Sequence, residues 1–146
     1  MPGLAHDRRR RRVAWDAQLR ALRWKSGGYV TGYLVSYPCH PSIIGSTNTH
    51  LSPDYPGYLR TRIQEATGCP VIFLTGCAGD VNAGYSERGA SQRNHDIGRT
   101  PSDADLFGTT LAEALLAGRW QPVDMSAGVA TRRADVDACL VPIDME

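Results

Sequence analysis

The sequence holds a single lysine, Lys25, and only two phenylalanines. It has no apolar run near the roughly 18 residues that a membrane-spanning helix requires. Its longest apolar runs, such as Val71–Leu74, have strand length. The four cysteines, Cys39, Cys69, Cys77 and Cys139, include no Cys-x-x-Cys pair, which argues against a four-cysteine zinc site. Two disulfides are allowed by count, but a chain of this length does not need them, and free, mostly buried thiols are expected. No Asn-x-Ser/Thr sequon occurs. The N-terminal stretch is basic but lacks an apolar segment, so it is not a secretory signal. An excess of either charge is also missing. Sixteen basic residues face 15 acidic ones, a net charge of +1, so no overall field steers the chain to nucleic acid or to a membrane.

What is present fits one globular domain. The 146 residues are 42% hydrophobic and 21% charged, too apolar for a disordered chain. Arginine supplies all the basic residues but Lys25, and five of them form the run Arg8–Arg12. No aromatic residue interleaves that run and no nucleic-acid-binding signature follows it, so a solvated end is expected. Residues 1–15 are read as an Arg-rich lead-in with no structural element of its own. Residues 16–146 are read as a single α/β domain.

Gln18–Trp24 and the Tyr- and Val-rich Tyr29–Tyr37 read as a strand pair closed by Gly27-Gly28. The segment from Pro38 to Pro53 is dense in Pro, Ser, Gly, Thr and Asn and reads as a long loop, a type that often carries function. Pro56–Thr67 has a helical period through Tyr58, Leu59, Ile63 and Ala66. Asp54 or Ser52 is the expected N-cap, and Gly68 fits the C′ position. Val71–Thr75 is continuously apolar, as in a sheet covered on both faces. Strand, loop, helix and buried strand make a βαβ unit. A second helix is expected over Asp103–Leu116, with Leu106, Leu111, Ala114 and Leu115 on its apolar side, Asp103 as cap and Gly108 as a weak point. Two short strands are expected near Gly128–Arg132 and Ala138–Ile143. The fold class is therefore α/β, with a mixed sheet, at least one βαβ unit and two main helices.

Ligands in open α/β sheets collect at the carboxyl ends of the strands. Cys39-His40-Pro41 lies just beyond one such end, where His40 is either a metal ligand or base, or a loop histidine bonded to backbone. The loop Gly76–Asn82 lies beyond another. Its glycines allow close approach of a ligand or an anion-binding nest, and Asp80 either holds a histidine or caps a turn. It matches neither a nucleotide-binding P-loop nor a nucleophile elbow. Asn48, Ser52, Asp54, Tyr55 and Gly57 cluster at the start of the first helix, as cap or as polar site. A Cys77–His40 nucleophile pair is a further reading, with packing as the plainer role of Cys77.

Taken together, "GYLVSYPCHPSIIGSTNTHLSPDYPGY" (residues 32–58) and "CPVIFLTGCAGDVNA" (69–83) resemble the neutral/alkaline non-lysosomal ceramidase family. In that family a strand leads to a His-Pro motif, then to a loop with an Asn and a Ser-x-Asp-x-x-Gly-Tyr helix start. A later strand enters a Gly-x-x-Gly-Asp-Val loop. "GLAHDRRRRR" (3–12) is similar to an Asn-Arg-Arg segment of the family, and "DLFGTTLAEALL" (105–116) to its later helix. The resemblance implies a zinc-dependent hydrolase of a linear amide such as ceramide or another N-acyl lipid. It implies His40 as one of two metal-binding histidines, Arg8 as a substrate-binding group with Asp7 in place of the Asn, Gly79 as a further substrate-binding residue, and Asp80 and Asn82 lining the site as catalytic residues. Asn82 stands where ceramidases carry a catalytic Ser, and argues against ceramide itself as substrate. In such a scheme the metal supplies an activated water, and Asn82 donates a hydrogen bond to the developing oxyanion.

The chain departs from the family in length and in ligands. It lacks the His-x-His motif that carries the first metal histidine, and the Glu and Tyr ligands of the family fall beyond its last residue. It is therefore read as a central fragment of the domain, with zinc expected only when the missing segments complete it. As an isolated chain it is expected to bind zinc weakly and to leave amides intact. The competing reading is a non-catalytic α/β module that binds a small anion through the glycine loop and the arginines.

Overall fold

The computed structural model describes residues 5–7, 16–45, 48–83, 100–123 and 128. Strand β1 is His6–Asp7, β2 is Arg20–Ser26 and β3 is Tyr29–Ser36. Helix α1 covers Asp54–Thr67, followed by β4, Val71–Leu74, and β5, Val81–Asn82. Helix α2 covers Pro101–Leu116. The terminal strands expected near Gly128–Arg132 and Ala138–Ile143 lie essentially outside the described residues.

The main sheet is mixed, in the order β2-β3-β4. β2 and β3 are antiparallel and joined by Gly27-Gly28, with Ser26 opposite Tyr29. Both glycines have positive φ, 55° and 86°, as a two-residue turn matched to the strand twist requires. β3 and β4 are parallel, with Tyr33 opposite Val71 and Ser36 opposite Leu74. Together with α1 they form the βαβ unit expected from the sequence, so the fold is α/β. The segment 5–7 is less featureless than its sequence suggests. Ala5 is buried and β1 pairs antiparallel with β5, His6 opposite Asn82 and Asp7 opposite Val81.

The core lies between one face of the sheet and the helices. Tyr33, Val35 and Val71 meet Tyr55, Leu59 and Ile63 of α1 and Phe107, Leu111 and Leu115 of α2. The expectation of a β4 covered on both faces does not hold among the described residues. Val71 is buried, whereas Ile72 and Leu74 are 57% and 49% exposed, and Leu22 and Trp24 of β2 are exposed as well. A continuous apolar run does not reveal which face is covered, because successive side chains point to opposite sides.

The helices also differ in detail from the reading of the sequence. α1 begins at Asp54, with Pro53 before it and no side-chain cap at that position. Gly68 ends it with φ of 69°. α2 is capped by Thr100 and not by Asp103. Thr100 and Asp103 form a reciprocal capping box, with Pro101 in the first turn. The Thr100 hydroxyl and N–H hold the Asp103 carboxyl below its usual range. Leu106 is 70% exposed, and the buried stripe is Ala104, Phe107, Gly108, Leu111, Ala112 and Leu115. Gly108 marks the close crossing of the two helices. A Cβ there would lie 2.5 Å from the Tyr55 carbonyl oxygen and 2.8 Å from the Leu59 nitrogen.

Candidate functional site

Parallel pairing sends the ends of β3 and β4 to the same edge of the sheet. The Tyr37 N–H still donates to the Leu74 carbonyl (3.3 Å), after which both chains leave as loops. The loop after β3 carries His40, and the loop after β4 carries Gly76–Asp80. These loops meet. The His40 N–H donates to the Val81 carbonyl at 3.0 Å, and His40 Nε2 lies 2.7 Å from the Gly79 carbonyl oxygen. A carbonyl only accepts, so Nε2 carries a proton in this arrangement.

The glycine loop is held by short-range turns. Ala78 N–H donates to the Gly76 carbonyl (3.0 Å) and Val81 N–H to the Ala78 carbonyl (2.7 Å). Gly76 and Gly79 adopt positive φ, 69° and 48°. Asp80 is half-buried in this turn. Asn82 is only 6% exposed, and among the described residues its Oδ1 has no hydrogen-bond partner. Leaving a buried acceptor open costs about 1–3 kcal/mol. Through the β1–β5 pair, His6 and Asp7 run beside Asn82 and Val81. Arg8, next in sequence, lies outside the described residues.

The polar cluster at the start of α1 divides. Asn48 serves its own turn, donating to the His50 carbonyl (2.7 Å) and accepting from the His50 N–H (3.3 Å). Asp54 and Tyr55 reach back to the His40 loop instead. The buried Asp54 carboxylate accepts from Ile44 N–H and Tyr55 N–H, each at 2.8 Å. Tyr55 Oη donates to the Cys39 carbonyl at 2.7 Å. The length of this reach was not readable from the sequence. Its signal was the Asp itself, a residue that tolerates the φ of 53° found at position 54.

The Cys77–His40 pair does not form. Cys77 is exposed, and His40 Nε2 is turned to Gly79. Cys39 is buried, and burial pushes its thiol up to about 12, so it remains a neutral packing residue. The same burial raises Tyr55 well above the ordinary phenol range, which keeps its hydroxyl a donor.

No protein-family model and no curated protein matches the chain. Among solved structures it is similar to a ceramidase complexed with C2, at 17% identity and a TM-score of 0.55. The match covers 77% of this chain and 20% of the ceramidase chain. The fold is therefore ceramidase-like. The chain spans about a fifth of the length of that protein.

Proposed function

We propose that this chain is part of a ceramidase-like, zinc-dependent hydrolase of linear amides, with N-acyl lipids as the substrate class. The observation that supports this most is the convergence of His40 with the Gly79–Asn82 loop at the carboxyl end of two parallel strands. It occurs on a ceramidase-like fold, at the edge where such sheets bind ligands.

The described residues do not by themselves fit a zinc ion. Among them no three His, Cys, Asp or Glu side chains cluster, and a catalytic zinc takes three protein ligands. In this proposal His40 is one ligand and the others come from further segments of the same domain. The exposed apolar face of Leu22, Trp24, Ile72 and Leu74 is consistent with such further segments. This chain's own residues would orient the substrate. Asn82 Oδ1, which has no partner among the described residues, is an acceptor and would suit a substrate amide N–H. Arg8 would bind the substrate, while Gly79 and Asp80 would line the site beside His40. The small-anion alternative is weaker, because the polar group this loop sets against His40, the Gly79 carbonyl, and the buried Asn82 Oδ1 are both acceptors.

A zinc titration of the 15N-labelled chain tests the ligand assignment. The expected result is weak binding that shifts the resonances of His40, Gly79 and Asp80 and disappears in His40→Ala. Shifts centred on His50 that persist in His40→Ala would contradict it.

A further inference from the structure

The His40 loop is anchored by Cys39 and Ile43, both buried in the core, and the histidine between them sits in a defined position. Three hydrogen bonds to its backbone add to this anchoring. The Cys39 carbonyl accepts from Tyr55 Oη (2.7 Å), the His40 N–H is bound to the Val81 carbonyl (3.0 Å), and Ile44 N–H donates to Asp54 Oδ2 (2.8 Å). Two of the three come from adjacent residues at the first turn of α1. His40 therefore lies on a short bridge, residues 39–44, pinned at both ends to one rigid helix.

Asp54 has an unusual backbone for this task. It is the one non-glycine residue with positive φ among the described residues, at 53°, and it is buried. Such a conformation costs of order 1–3 kcal/mol and persists where its surroundings over-determine it. Here they do. Its own N–H donates to Ser52 Oγ (3.0 Å), Oδ1 takes the Tyr55 N–H, and Oδ2 takes Ile44. Glycine would adopt this φ without strain, but it would supply neither oxygen.

We propose that Asp54 and Tyr55 are positioning residues that form a two-point latch, holding the 39–44 segment so that the His40 ring is fixed against Gly79. The functional meaning of this latch rests on the reading of His40 as the metal-binding residue. The latch itself does not.

Backbone 15N order parameters of the whole chain and of three variants test it. They report fast motion within the folded state and so separate the latch from global stability. In Tyr55→Phe, which removes only the hydroxyl, the order parameter at His40 is expected to fall from about 0.85 toward 0.6, while Val35 in β3 stays rigid. In Asp54→Gly the same fall is expected at Ile44, although the strain is relieved. Asp54→Asn keeps one acceptor oxygen and tolerates the positive φ, but sets an NH2 group against the second N–H, and it is expected to restore the order only in part. Unchanged values at His40 and Ile44 would overturn the latch, as would a loss of order spread equally through Val35. The zinc titration separates the two readings. If the variants release His40 while His40→Ala leaves zinc binding unaltered, the latch stands and the metal assignment fails.

Discussion

Tyr55→Ala is expected to lower stability by about 3–5 kcal/mol, the range for deleting a fully buried aromatic side chain. The ring is fully buried. It packs edge-on against Phe107 at 4.9 Å and against Phe73 at 5.7 Å. It thus ties α1 to both α2 and β4. Its hydroxyl holds the Cys39 carbonyl, so truncation also leaves that acceptor unpaired. Against a total stability of roughly 5–15 kcal/mol, a loss of that size is a large fraction of the whole. Tyr55→Phe keeps the packing and leaves the Cys39 carbonyl without that donor, a cost of about 1–3 kcal/mol. Urea denaturation of both variants checks the contrast. Equal losses would mean that the ring contributes little, contrary to its place in the core.

Gly108→Ala is expected to destabilise, although alanine is the better helix former by about 1 kcal/mol. The added methyl would meet backbone atoms of α1, 2.5 Å from the Tyr55 oxygen and 2.8 Å from the Leu59 nitrogen. Backbone cannot rotate aside as a long side chain can, so the helices must separate. Overpacking of this kind costs about 1–3 kcal/mol, which lowers the melting temperature by several degrees in a domain of this size. A thermal melt decides the sign. An unchanged or raised melting temperature would show that the crossing of α1 and α2 is looser than the structure has it.

These two residues show where the sequence was informative and where it was not. The periodicity of Leu59 and Ile63, the Gly27-Gly28 turn and the apolar run before Gly76 were enough to place the βαβ unit, because each is a local signal. The loops with His40 and Asp80 could be assigned to one edge, because parallel strands end on the same side. Gly108 could be read only as a weak point in a helix, since its value lies in a neighbour distant in sequence. Leu106 matched the helical period equally well and is exposed, because a period does not say which of two adjacent stripes meets the core. The two-residue strand His6–Asp7 is too short to carry any pattern. Its pairing with Asn82 is a long-range contact and was not visible in the sequence. The reach of Asp54 and Tyr55 to the His40 loop was hidden for the same reason.

The most direct test of the account is amide hydrolysis by the polypeptide translated from the whole reading frame that contains this chain, with zinc and a panel of N-acyl lipids. The account predicts release of the free fatty acid, lost on chelation of zinc and abolished in His40→Ala. No hydrolysis of any N-acyl lipid by the zinc-loaded protein, or full activity in His40→Ala, would contradict it.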